Sequence, residues 1–155
     1  MCGIVGYLGK EDAIAIALQS LKRLEYRGYD SCGLVAFNKK GEVFKIKSVG
    51  RVAELEDKIR DLNLNFQTFS SIGHTRWATH GGVTEENAHP HWDCKEEIFI
   101  VHNGIVENYK ELKKRLLEKG HKFKSETDTE VLAHLIEGFF QGNLEEAVQK
   151  ALNYI

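Results

Sequence analysis

The chain has 155 residues, 42% hydrophobic and 28% charged, with 21 Lys and Arg against 23 Asp and Glu. That balance belongs to a folded domain with one sizeable core, and a formal charge of −2 gives no reason to expect nucleic acid or an anionic membrane as partner. No apolar run approaches the ~20 residues of a membrane span, the start is not a secretory signal, and Cys2, Cys32 and Cys94 are too few and too scattered for a disulfide framework, so a reducing, cytoplasmic setting is expected.

In chain order, "CGIVGYLG" (2–9) reads as a buried strand bounded by glycines. Residues 11–28 form an amphipathic helix, with Ile14, Ala17, Leu18, Leu21 and Leu24 on one stripe, Glu11 and Asp12 in its first turn and Gly28 as its stop. Residues 32–37 and 42–49 read as a hairpin turning at Gly41, and 52–64 as a helix aligning Val52, Leu55, Ile59 and Leu62. Strands are expected at 69–75 and 97–103, a helix at 106–120 closed by Gly120, and a brief strand at 121–125. Helices follow at 128–142 and 143–155, the latter capped by Asn143. Between them, 79–96 is a long irregular stretch holding Pro90, the one proline, and loops of that length are usually functional. The last helix stops on an apolar position, Ile155, with no cap, as a truncated domain would.

Four polar clusters stand apart from the helix faces. Cys2 is small enough for Met1 to be removed in front of it. The exposed residue then carries a thiol, ordinarily titrating near ~8.5, and an α-amine near ~7.7–8.0 that can take the thiol proton. The alternative is a small buried apolar residue. "HTRWATHGG" (74–82) offers an arginine fork for a carboxylate beside a glycine-rich loop, against an ordinary surface Arg–Asp pair. "VHNG" (101–104) is a hairpin turn or, since a helix pattern follows, an oxyanion hole made of the Asn103 amide and the Gly104 N–H. "SETDTEV" (125–131) caps a helix, or turns one carboxylate toward a pocket to hold an ammonium group. Together they would make a site for an amino acid.

"CGIVGYLG", "RLEYRGYDSCG", "HTRWATHG", "NAHPH", "VHNGIVENY" and "SETDTEV" make the chain resemble the glutaminase domain of the glutamine–fructose-6-phosphate aminotransferases. These are class II, N-terminal nucleophile glutamine amidotransferases. The resemblance implies an α+β, four-layer αββα sandwich, C-terminally truncated, over residues 1–155, with the sugar isomerase domain absent. It implies Cys2 as nucleophile, with its own amine as base, and Asn103 with Gly104 as oxyanion hole. Arg76 would hold the α-carboxylate of glutamine and Asp128 its α-ammonium. Trp77, Thr79 and His80 would line the same pocket, and Arg27 and Gly28 would support the nucleophile. Glutamine would be hydrolysed through a thioester, and in a full-length, homo-oligomeric enzyme the ammonia would pass to the sugar site. No cofactor or metal is implied. If Met1 is retained, the base is an amide and the domain should be inactive.

Two rival readings follow from the same residues. His89, His91 and Cys94, with His74, His80 and His102, could ligate zinc, although their spacing matches no paired-ligand pattern. The chain could also fold as an inert piece whose site never forms.

Overall fold

β1 (Gly3–Leu8), β2 (Ser31–Phe37), β3 (Val43–Val49) and β4 (Ser70–Arg76) form an antiparallel sheet in the order β1-β4-β2-β3. The computed structural model describes residues 1–62, 67–78 and 81–155. The β2–β3 hairpin closes as expected: Asn38 Oδ1 accepts the Lys40 and Glu42 N–H groups, both at 2.9 Å, and Gly41 takes φ +81°.

Successive strand residues face opposite ways, so each strand of this sheet serves two layers. Cys32, Leu34 and Ala36 of β2 and Val5 of β1 pack under α1 (Ala13–Leu24) and α2 (Val52–Asp61), together with Ile14, Leu18, Leu21, Val52 and Leu55. The opposite face meets a two-stranded sheet of β5 (His91–Trp92) and β6 (Phe99–Ile100), with Phe37 edge-on to Phe99 at 5.7 Å. Beyond it, α3 (Tyr109–Glu118), α4 (Glu130–Phe139) and α5 (Leu144–Leu152) close a second core around Ile98, Leu116, Val131, Leu135 and Ala147. Helices, sheet, sheet and helices give the expected α+β sandwich. Among the described residues, no helix is long and apolar enough to cross a membrane.

Several boundaries differ from the sequence reading. Asp12 is not in the first turn of α1 but caps it, accepting the Ala15 N–H at 3.3 Å, and it also takes the Thr68 hydroxyl at 2.6 Å. α1 ends at Leu24, followed by a 3₁₀ turn, Glu25–Arg27, and Gly28 leaves that turn in extended backbone. α2 ends at Asp61 and Leu62 is exposed; positions 63 and 64 lie outside the described residues. Residues 121–125 are not a strand, because their donors are already taken: Lys124 and Ser125 give theirs to the Glu130 carboxylate at 2.7 Å each, and Lys122 gives its N–H to Cys94 Sγ at 3.3 Å. The strand expected at 97–103 shrinks to two residues for a similar reason. Asp93 Oδ1 accepts the Glu97 and Ile98 N–H groups at 2.7 and 2.8 Å. β5, which pairs with it, emerges from the stretch read as irregular. α5 begins at its Asn143 cap but ends at Leu152, closed by Asn153.

Candidate active site

β1 and β4 are neighbours, and the register sets Gly3 opposite Thr75. Cys2, just before β1, therefore lies beside Trp77, just after β4. The Trp77 N–H points at Cys2 Sγ at 3.3 Å, and the thiol sits 3.7 Å from the Trp77 carbonyl. Asp30 braces this crossing, accepting the Ala78 N–H at 2.9 Å while its own N–H reaches the Arg76 carbonyl at 3.0 Å. Gly28 is buried against the same segment: a Cβ there would lie 2.8 Å from the Arg76 carbonyl carbon and 2.9 Å from the Trp77 nitrogen. Arg27 Nε donates to the Cys2 carbonyl at 3.4 Å, and its Nη2 approaches Met1 Sδ at 3.8 Å.

Cys2 opens onto a cavity of about 350 Å³ lined also by Met1, Arg27, His74, Arg76, Trp77, His102, Asn103, Gly104 and Asp128. Arg76 is 4% exposed, so it is no surface pair. It donates from Nη1 to the Gly82 carbonyl at 3.1 Å. Burial lowers the pKa of its guanidinium, opposed by the neighbouring charges of Cys2, Asp30 and Asp128. Asp128 is buried at the entry to α4 and accepts the Val106 N–H at 2.7 Å through Oδ2. Trp77 is 44% exposed at the cavity mouth, its ring edge-on to Tyr29 at 5.4 Å. The acidic run 125–131 divides its labour: Asp128 faces the cavity, Glu130 binds backbone, and Glu126 holds the Asn87 amide at 3.2 Å. Thr79 and His80 lie outside the described residues.

Asn103 is held from two sides. Its Nδ2 donates to the Cys2 carbonyl at 3.3 Å, and its Oδ1 meets His74 Nε2 at 2.9 Å. An amide oxygen only accepts, so His74 carries its proton on Nε2. Burial, the largest cause, pushes the pKa of His74 down to about 4, and the ring is neutral at pH 7. His74 therefore sets which way the Asn103 amide faces. The second Nδ2 hydrogen is left for another acceptor. No strand follows Gly104, and α3 starts at Tyr109.

The sequence suggests His74 and His102 only as zinc candidates and does not mark Thr129; for His74, the strand alternation that puts it on the Arg76 face could have marked it for this cavity. His102 and Thr129 line the cavity too. They share a contact, His102 Nδ1 to Thr129 Oγ1 at 3.3 Å, that no local pattern announces. Among the described residues the zinc set proposed from the sequence does not assemble, because Cys94 sits away from it with other partners, His121, His134 and Glu137, and His80 lies outside the described residues.

A thiol, amide donors, a buried guanidinium and a carboxylate around one small cavity can hold an α-amino acid with its side chain against sulfur. The sequence profile of the glutamine amidotransferase domain family matches residues 32–148. The chain belongs to this family. Its amidotransferase relatives include glutamine–fructose-6-phosphate aminotransferases (isomerizing) of Methanococcus maripaludis, 57% identical over 88% of this chain and 22% of that protein, and Thermococcus kodakarensis, 53% identical over 99% and 25%. The chain thus spans about a quarter of the length of these relatives. The amidotransferase fold is shared with the glutamine phosphoribosylpyrophosphate amidotransferase of B. subtilis, solved with ADP and GMP. The TM-score is 0.82 at 27% identity, covering 99% of this chain and 33% of that one. A structure described as the allosteric regulatory enzyme of purine biosynthesis matches with a TM-score of 0.81 at 30% identity, with the same two coverages.

Proposed function

We propose that this domain hydrolyses L-glutamine to glutamate and ammonia through a thioester on Cys2. Within a longer chain that also holds a sugar isomerase domain, the ammonia would serve glucosamine-6-phosphate synthesis from fructose-6-phosphate. One observation carries the reading: Cys2, Arg76, Asn103, Gly104 and Asp128, scattered from position 2 to 128, line one cavity of amino-acid size. The aminotransferase activity of the relatives supports the sugar acceptor, and three free thiols fit a reducing, cytoplasmic setting.

In this reading Arg76 takes the α-carboxylate and Asp128 the α-ammonium, which leaves the carboxamide against sulfur. With Met1 removed, the Cys2 amine accepts the thiol proton and sulfur attacks the amide carbon. The Asn103 amide and Gly104 N–H receive the oxyanion, each such donor being worth ~10²–10³ in rate. The C–N bond breaks, ammonia leaves with the amine's proton, and water attacks the thioester under the same base. Gly28 and Arg27 hold Cys2 in place, and Trp77 walls the pocket.

The inert alternative applies to any chain that keeps Met1, whose bond to Cys2 makes that nitrogen an amide with no basic lone pair. A diazo-ketone analogue of glutamine separates the readings. On chain whose mass confirms loss of Met1, it should alkylate the Cys2 peptide and abolish glutamate production; chain retaining Met1 should release no glutamate. Met1-free protein left unlabelled after prolonged incubation would overturn the proposal.

A further inference from the structure

A second cluster of donor atoms lies outside this cavity. Cys94 follows β5, His121 follows the end of α3, and His134 and Glu137 lie one turn apart on α4. Cys94 Sγ is 3.8 Å from His121 Nδ1 and 3.5 Å from His134 Nδ1. Glu137 Oε2 is 2.8 Å from the first nitrogen and 3.2 Å from the second. All four donors fall within 4.8 Å of one another, the one such group among the described residues.

We propose that Cys94, His121, His134 and Glu137 bind a divalent zinc-type ion that clamps the loop after β5 and the end of α3 onto α4. A tetrahedral zinc ion, with bonds of ~2.3 Å to sulfur and ~2.0–2.2 Å to nitrogen and oxygen, spaces neighbouring ligands roughly 3.2–3.6 Å apart. Four of the spacings, 2.8–3.8 Å, bracket that range and no pair exceeds 4.8 Å, so an ion would draw the widest pair together by about an ångström. Thiolate and carboxylate together balance its two charges. The four ligands are borderline to soft, which favours zinc over magnesium or calcium.

An independent observation comes from the far side of His134. Its ring is buried, and its Nε2 makes no hydrogen bond yet faces Glu130 Oε1 at 3.6 Å. Were Nδ1 the protonated nitrogen of a neutral ring, the Nε2 lone pair would face a carboxylate. With Nδ1 on a metal, the proton moves to Nε2 and points at Glu130, the carboxylate–histidine–metal arrangement that orients ligating histidines. The Lys122 N–H points at Cys94 Sγ from 3.3 Å, fixing where the sulfur sits. Cys94 is exposed, which gives the ion a way in. Four protein ligands leave no open position for water, so the role is structural.

The test loads the whole 155-residue chain with Zn²⁺ in competition with a chromophoric chelator, and separately with Co²⁺. One equivalent should bind, raise the melting temperature reversibly, and with cobalt give tetrahedral d–d bands and a thiolate charge-transfer band. Cys94→Ser should abolish the charge-transfer band. Both it and His121→Gln should weaken zinc by more than the ~10–100-fold typical of losing an outer-shell partner, with unchanged circular dichroism. Cys2→Ser should keep the band. A chain that does not compete for zinc, or a band that survives Cys94→Ser and vanishes in Cys2→Ser, would overturn the proposal.

Discussion

Gly28 carries no side chain because two backbones meet there. A Cβ at 2.8 Å from the Arg76 carbonyl carbon and 2.9 Å from the Trp77 nitrogen presses on atoms that cannot swing aside. Gly28→Ala is expected to cost about 1–3 kcal/mol by overpacking. By displacing the segment that holds Cys2 Sγ, it should also lower kcat for glutamine hydrolysis by on the order of 10–100-fold. Steady-state kinetics beside thermal melts would check both, and an unchanged kcat would show that the close approach has no catalytic consequence. The charged contacts divide differently. Arg76→Ala removes one charge-assisted contact of ~1.5–3 kcal/mol, about 10–150-fold in kcat/KM. Asp128→Asn is the cleaner partner test, because its amide oxygen can still accept the Val106 N–H at 2.7 Å while the charge is lost. A near-normal KM for glutamine in both variants would end the assignment of these residues to substrate. Each of these side chains was visible in the sequence as a type at a position. That Arg76 is buried, and that His74 holds Asn103, was not.

At the scale of elements, β4 shows how one strand serves both stability and chemistry. His74 and Arg76 point to the cavity, whereas Gly73 and Thr75 point to the helices. A Cβ on Gly73 would sit 3.1 Å from Leu21 Cδ1. Leu21→Ala, deep in the core of α1, is therefore expected to cost ~2–5 kcal/mol. It should lower the urea midpoint at unchanged slope and leave the glutamine KM of the folded protein alone; a large KM change would show that core and site are not separated by the strand. Helices were the readable elements, since Leu18 with Leu21, and Val52 with Leu55, recur at helical spacing within their own segments. Short strands were not. Residues 121–125 have the right pattern but spend their donors on Glu130 and Cys94, while β5 has no pattern of its own and exists because β6 lies beside it.

Across the whole molecule, the space between the two sheets is occupied by neutral histidines. His89 stacks on His74 at 4.1 Å and meets His91 edge-on at 4.5 Å. Burial, the first cause in each case, lowers the pKa of His74 to about 4 and of His91 to about 3, and holds that of His89 well below the ordinary histidine range. The unfolded chain therefore binds these protons first as pH falls. The stability they confer is complete above pH ~6.5 and is lost progressively toward pH 4, by up to about 1.4 kcal/mol per pH unit for each ring. Urea titrations at pH 7, 6 and 5 should show the midpoint falling steadily, and a midpoint flat over that interval would mean that the rings accept protons without cost. The sequence alone determined the cysteine at position two, the amphipathic helices, the hairpin and the family, because these depend on neighbours along the chain. Only the tertiary structure decided which side chains share a cavity, which carboxylate of 125–131 faces it, and that Cys94 belongs with His121, His134 and Glu137. Those are contacts between distant segments, set by the order β1-β4-β2-β3 and by the layers packed on either side.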